Sequence, residues 1–244
     1  MSGKRHKSDA EVDWTLLHSA DASWRTRLLG DLSEAFAIPR YVELFLKTFG
    51  TRKGLRILEV GAGNGEVPHR LKELAPDCIE DYAVSELFPE GAQWLRSLGL
   101  TSFVADAQEL PFADDSFDAV ISYDVLHHVS DPHRMAREML RVSRGSLLLT
   151  ESNGLSLGRK LMEQTAGHKA AGERSYTPWQ YRRFFAAAGW PLHSFRIRPF
   201  LFPVPGGVPT LLLPPLIMFN ELIEHVPLAC WQCSNVWMTV EAKK

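Results

Sequence analysis

The stretch LRILEVGAGNGEVPHRLKEL, Leu55 to Leu74, constrains the fold more than any other part of the chain. Apolar residues crowd LRILEV, so it reads as a strand buried on both faces, as strands of parallel sheets are. Gly61, Gly63 and Gly65 then turn the chain into a helix that starts at Glu66. Residues without a Cβ accept the dihedrals of such a turn and let the backbone approach a ligand closely. The helix N-terminus beyond the turn favours negative charge. Strand, glycine turn and helix together make a seat for a nucleotide-like cofactor.

The same alternation continues along the chain. Strands are predicted at Asp81 to Leu87, Thr101 to Ala107, Phe117 to Asp124 and Ser146 to Ser152, with helices between them at Pro89 to Leu98 and from Asp131 to Val142. That pattern predicts an α/β fold with a doubly wound, Rossmann-like sheet covered on both faces. Residues 14–54 suit helices packed across the mouth of the sheet. After residue 152 come a loose polar stretch to Pro178, an amphipathic helix over Trp179 to Trp190, a strand from Leu192 to Arg198 and a final strand from Ser234 to Lys243. Between those last strands residues 199–228 form a long, proline-rich, apolar insertion, and an insertion of that length in a compact domain usually has a use.

At 244 residues this is one domain over 14–244 with a flexible stretch at 1–13. A net charge of -2, from 27 Lys and Arg against 29 Asp and Glu, provides no field for gathering phosphate backbones, so nucleic acid is not expected as a partner. The basic start of the chain lacks an apolar run behind it, so neither a secretory signal nor an anchor is expected and a cytoplasmic location is. Cys230 and Cys233 form a CxxC, but a zinc site needs four ligands and no second pair exists, so they read as small residues ahead of the last strand.

A dinucleotide fingerprint would need a third glycine where Glu66 stands, and no Gly-Lys-Ser/Thr follows for a Walker loop. Two further acids narrow the ligand. Glu86 falls about twenty residues beyond the turn, where a carboxylate can accept both hydroxyl protons of a ribose. Asp106, beside Ala107, is placed to accept from an exocyclic amine. A ribose holder and an adenine holder without a phosphate holder describe an adenosine that carries no phosphate.

ILEVGAGNGE, SEL, ADAQELPFADDSFDAVIS and YDVLHHVSDP, in that order, resemble the class I S-adenosylmethionine-dependent methyltransferases, above all the small-molecule group of the ubiquinone and menaquinone biosynthesis enzymes. The resemblance covers Leu55 to Ser152. It implies a seven-stranded sheet of order 3-2-1-4-5-7-6 with strand seven antiparallel, S-adenosylmethionine as cofactor, and methyl transfer as the reaction. By position it places Glu59 and the turn Gly61, Ala62, Gly63 and Gly65 along the methionine moiety and sugar. Glu86, with Leu87 after it, falls on the ribose, Asp106 and Ala107 on the adenine, and Tyr123 and Asp124 near the donor methyl. The Pro-Gly-Gly turn that the family often has before strand five is replaced by RVSRGS, where only Gly145 remains.

Methyl transfer from a sulfonium is an in-line displacement, so alignment in a dry site does most of the work. A base is needed only where the acceptor must lose a proton. His127 and His128 are the candidates, with His127 favoured as the base and His128 as a structural partner in a helix opened by LHHV. His133 reads as surface. A metal would need oxygen ligands after strands four and five, and only Asp124 with Asn153 offers a pair, so no metal is expected. Tyr176 and Trp179 are candidates for lining an acceptor pocket. In the insertion, Leu216, Phe219, Ile223 and Val226 keep helical spacing; the run is too short and proline-broken to span a bilayer. Its leucines point to a small acceptor of apolar or lipid-linked kind, or to a peripheral membrane contact. Two other classes compete with the enzyme: a catalytically silent S-adenosylmethionine-binding subunit, and a nicotinamide-dependent oxidoreductase, which Glu66 and the lack of a Tyr-Lys arrangement oppose.

Overall fold

The computed structural model describes residues 37–165, 169, 174–190, 194–201 and 210–241. The expected flexible stretch at 1–13 and most of the N-terminal cap lie outside them, as do parts of the loop before Trp179 and of the insertion. In chain order the elements are α1 (Ile38–Phe49), β1 (Leu55–Val60), α2 (Glu66–Leu74), β2 (Ile79–Glu86), α3 (Pro89–Ser97), β3 (Thr101–Val104) and β4 (Ala119–Tyr123). Then follow α4 (Pro132–Val142), β5 (Ser146–Ser152), α5 (Leu157–Met162), α6 (Pro178–Ala187), β6 (Phe195–Phe200), α7 (Leu213–Ile223) and β7 (Asn235–Glu241). Short 3-10 turns flank α7 at Thr210–Leu212 and Ala229–Gln232.

The seven strands form one sheet of order β3-β2-β1-β4-β5-β7-β6. β7 runs antiparallel to both β5 and β6, and the other neighbours are parallel. Strand order therefore reverses between β1 and β4, the place where open α/β sheets take ligands in a crevice beyond the carboxyl ends of their strands. Alternate side chains of the buried strands feed two cores. Leu58, Val60, Val120, Leu147 and Leu149 meet Met135 and Met139 of α4 and Tyr181 and Phe185 of α6. Ile57, Val84, Ile121 and Leu148 meet Phe45 and Phe49 of α1, Val67 and Leu71 of α2 and Leu95 of α3.

Local chemistry sets the helix limits. Asp131 caps α4 by accepting from the His133 and Arg134 amides at 3.0 and 3.2 Å, with Pro132 in the first turn. Thr177 and Gln180 form a capping box at the start of α6, which ends before Gly189 at φ 99°. The expected strands at Leu55–Val60 and Ser146–Ser152 are met residue for residue. Three expectations need correction. The third strand stops at Val104, so Asp106 and Ala107 stand in the loop beyond it. LHHV opens no helix but folds as a turn closed by the His128 amide on the Val125 carbonyl at 2.9 Å, because the cap and proline that nucleate a helix come only at Asp131 and Pro132. The stretch after residue 152 is not loose throughout, since it includes α5 and a bridge between Asn153 and Tyr176.

Candidate active site

The three glycines of the turn serve different ends, though all have positive φ. A Cβ at Gly61 would lie 2.5 Å from Val125 Cγ2, and one at Gly65 would lie 2.8 Å from Leu95 Cδ2, so a side chain at either would crowd its neighbours as well as strain a positive φ. A Cβ at Gly63 would meet nothing within 4 Å. Gly63 faces the crevice, and its amide donates to Glu86 Oε1 at 2.6 Å. The Leu87 amide donates to the other oxygen at 3.3 Å, while the Leu87 side chain is exposed. Glu86 is thus a buried carboxylate clamped against the turn, and burial outweighs the two backbone bonds in raising its pKa. Asp106 is exposed and accepts from the Gln108 amide at 2.8 Å and side chain at 3.1 Å, with buried Ala107 next to it.

Under the turn, Glu59 is buried and accepts from the Tyr82 hydroxyl at 2.6 Å. Burial, against the Tyr82 bond and helped by the charge on Glu86, pushes its pKa up to about 8. Tyr123 packs face to face on Tyr41 of α1, with ring centroids 4.8 Å apart, and its buried hydroxyl has no hydrogen-bond partner among the described residues. Asp124 follows at φ 57°, in the left-handed region that aspartate tolerates better than most residues with a Cβ. It accepts from the Tyr41 hydroxyl, from Asn235 Nδ2 at 2.9 Å and from Thr150 Oγ1 at 3.5 Å. Burial and the neighbouring Glu151 raise its pKa.

His127 is buried, and its Nδ1 lies 2.7 Å from Glu151 Oε2. Glu151 Oε1 accepts from the Leu126 amide at 2.6 Å and the Val125 amide at 3.1 Å. An ionised carboxylate can only accept, so Nδ1 carries the proton and Nε2 of the neutral ring is left as the basic nitrogen. Burial by itself would lower the imidazole pKa, but the charge and hydrogen bond of Glu151, with Asp124 behind, turn the shift upward. His128 is exposed, its ring centroid 4.1 Å from that of His127, and His133 is exposed as expected.

Asp124, His127 and Glu151 present ligand atoms within 4.8 Å of one another. Both carboxylates are already met by N–H and O–H donors, which satisfies their charge without a cation. Asn153 is also committed, since its amide donates to the Trp231 and Cys233 carbonyls at 3.0 and 2.8 Å. The two residues expected at an acceptor pocket do not come together. Tyr176 packs edge-on against Tyr181 and Phe184, whereas Trp179 is 63% exposed on α6. Glu151, Tyr41 and Asn235 were not expected. Glu151 had a signal, an acid inside the buried run SLLLTES, just as Glu59 is an acid inside LRILEV.

The pocket fits S-adenosylmethionine. The space over Gly63, the clamped Glu86 and the orphaned Tyr123 hydroxyl ask for a polar ligand, and among the described residues no cation is bonded to Glu86 or Asp106. A phosphate would instead have to face Glu66, which is occupied by Arg70.

Residues 58–149 match the family model described as a methyltransferase domain. Over these residues the chain is similar to methyltransferase domains. Among such proteins, the chain is 30% identical over 146 residues to the ubiquinone/menaquinone biosynthesis C-methyltransferase UbiE of Haemophilus ducreyi, covering 56% of this chain and 55% of UbiE. It is 30% identical over 123 residues to the uncharacterized methyltransferase YcgJ of Bacillus subtilis, covering 48% and 49% of the two. The chain thus spans about half the length of the curated relatives it matches. In fold, the crystal structure of YcgJ aligns with a TM-score of 0.58 at 17% identity, over 84% of this chain and 100% of that one. A methyltransferase of Archaeoglobus fulgidus aligns at 0.60 and 15% identity, over 90% and 98%.

Proposed function

We propose that residues 14–244 act as one S-adenosylmethionine-dependent methyltransferase that methylates a small acceptor of apolar or lipid-linked kind at oxygen, carbon or nitrogen. S-adenosylmethionine, when bound, supplies an electrophilic methyl group on a positively charged sulfur. Glu86 and the Gly63 turn would hold the ribose, Asp106 and Ala107 the adenine, and Glu59 with Tyr123 the methionine side of the pocket. Asp124 would supply negative charge near the sulfonium. His127 Nε2 would take the acceptor proton, and Glu151 would stabilise the imidazolium that results. Glu151 is a positioning residue: with two backbone amides and Nδ1 bound to it, it fixes ring, tautomer and charge.

The observation that carries a catalytic reading over a silent binding subunit is this fully bonded His127–Glu151 pair at the carboxyl ends of β4 and β5. A binding module has no use for a buried base with a dedicated carboxylate. The proposal is tested by incubating the protein with methyl-labelled S-adenosylmethionine and fractionated cell extract, then analysing products by mass spectrometry. Label transferred to an apolar small molecule is expected, and transfer that vanishes in His127→Ala supports the base. Cofactor binding without any labelled product would mean the silent subunit.

A further inference from the structure

The helix α7 is inside out. Its inner side rests on Leu44, Phe200 and Leu201 through Leu216 and Ile217, yet the same side carries Asn220, 4% exposed, and Glu224, which pairs with Arg40 and accepts from the Leu201 amide at 3.2 Å. The outer side is apolar. Met218 is 68% and Leu222 65% exposed, Phe219 is exposed beside them, and Leu211, Val226 and Leu228 in the flanking chain are exposed as well. A helix bathed in water places these classes the other way round.

Beside α7 runs a groove of about 890 Å³, floored by β6 and β7 and walled by α1. Four of its cations differ in what they face. Arg40 and Lys47 are committed to Glu43 and Glu224. Arg196 and Arg198, two apart on β6 and so on one face of the strand, are exposed and have no ion pair among the described residues. Glu221 and His225 of α7 form the lip between this groove and the apolar side.

We propose that α7 and the arginine groove dock the protein on the surface of an anionic lipid bilayer. The outer side of α7 enters the boundary between headgroups and acyl chains, and Arg196 and Arg198 meet headgroup phosphates, which a planar guanidinium binds through paired N–H donors. The charge beside the apolar face selects a bilayer over a soluble apolar partner, and the short α7 can lie in the interface but not cross it. Among the described residues no helix is long and apolar enough to cross a membrane. The proposal deepens the reading of a lipid-linked acceptor, and Glu224, Arg40 and Tyr41 connect the docking helix to Asp124. Vesicle binding itself requires no acceptor and no turnover.

The full chain is tested by flotation with vesicles of phosphatidylcholine alone and of phosphatidylcholine with an equal amount of phosphatidylglycerol. Binding to the mixed vesicles is expected to be stronger by about tenfold or more and to weaken with salt. The double variant Arg196→Gln/Arg198→Gln should lose about tenfold, a few-fold for each cation. Met218→Ser/Leu222→Ser should lose most of the binding while keeping the wild-type thermal midpoint and affinity for S-adenosylhomocysteine, so docking can fail without the cofactor reading failing. Equal flotation with both vesicle types, no flotation with either, or wild-type flotation of the Met218/Leu222 variant would overturn the proposal. Free phosphate that displaces the protein from vesicles at millimolar concentration would assign the groove to a soluble anion instead. A dimer that dissociates in the Met218/Leu222 variant would assign the apolar face to a second copy of the chain.

Discussion

The strand ends and α7 both turn polar side chains inward, and only at the strand ends does the rest of the pattern follow the rules of a water-soluble core. Glu59, Glu86 and Glu151 are carboxylates inside an apolar sheet, and each is answered by a donor on a neighbouring strand or turn. At α7, Asn220 and Glu224 also face inward, but leucine, methionine and phenylalanine face out. Buried carboxylates with dedicated donors mark a site where a ligand or a proton is handled. Apolar side chains turned outward over inward polar ones mark a surface made for another phase.

The comparison breaks most visibly at His127. His127→Ala is expected to lower turnover by roughly a hundredfold or more with cofactor affinity unchanged. Because the imidazole pKa is raised, turnover should fall with decreasing pH from a point above the ordinary histidine value, and Glu151→Gln should move that limb down. The same shift has a sign in stability. The contribution of the pair is complete below the unfolded histidine pKa and is lost as pH rises through the folded one. A pH profile identical in wild type and Glu151→Gln, followed by steady-state kinetics, would reduce Glu151 to a packing role.

Next in size is the contrast within α7. Leu216→Ser, on the inner side, should cost roughly 1 to 3 kcal/mol in a urea melt, since it empties part of the contact with Phe200 and Leu201. Leu222→Ser, on the outer side, should stay within about 0.5 kcal/mol. Equal losses would mean that α7 has no outward face. Glu59 gives a pH-dependent effect. Its raised pKa makes the folded state bind a proton that the unfolded state releases above about 4.5, so this contribution is present below that pH and is lost as pH rises through about 8. Melts across that window should show wild type losing a few kcal/mol relative to Glu59→Gln. The smallest effect expected is none: a chelator should leave turnover unchanged, because N–H and O–H donors already satisfy Asp124 and Glu151.

Much of this was legible in the sequence wherever one signal had one structural meaning. Runs such as LRILEV and SLLLTES can only be buried strands in a chain with this alternation, and Gly61 to Gly65 can only be a tight turn into a helix. The site was legible for Glu86 because its spacing from the turn is short and local. It was not legible for Tyr41 and Asn235, which reach Asp124 from 83 and 111 residues away, since sequence periodicity carries no information about such pairings. Glu151 lies inside the predicted strand Ser146 to Ser152, where the run of apolar neighbours hides that an acid in a buried run needs a partner. In the insertion, Leu216 and Phe219 share helical spacing but face opposite environments, because Ile217, Asn220 and Glu224 define the inner side and a pattern apolar all round cannot say which side is in.

The central claim is that the crevice over Gly63, with Glu86 at its wall, holds S-adenosylmethionine, and calorimetric titration with S-adenosylhomocysteine tests it most directly. The account predicts a saturable one-site isotherm for wild type and no comparable heat with NADH. Glu86→Ala should weaken binding by about tenfold or more, through loss of bonds worth roughly 1.5 to 3 kcal/mol. Gly63→Val should abolish it by filling the open space and straining φ 55°. Unchanged affinity in both variants, or binding of NADH in place of S-adenosylhomocysteine, would contradict the assignment of this pocket.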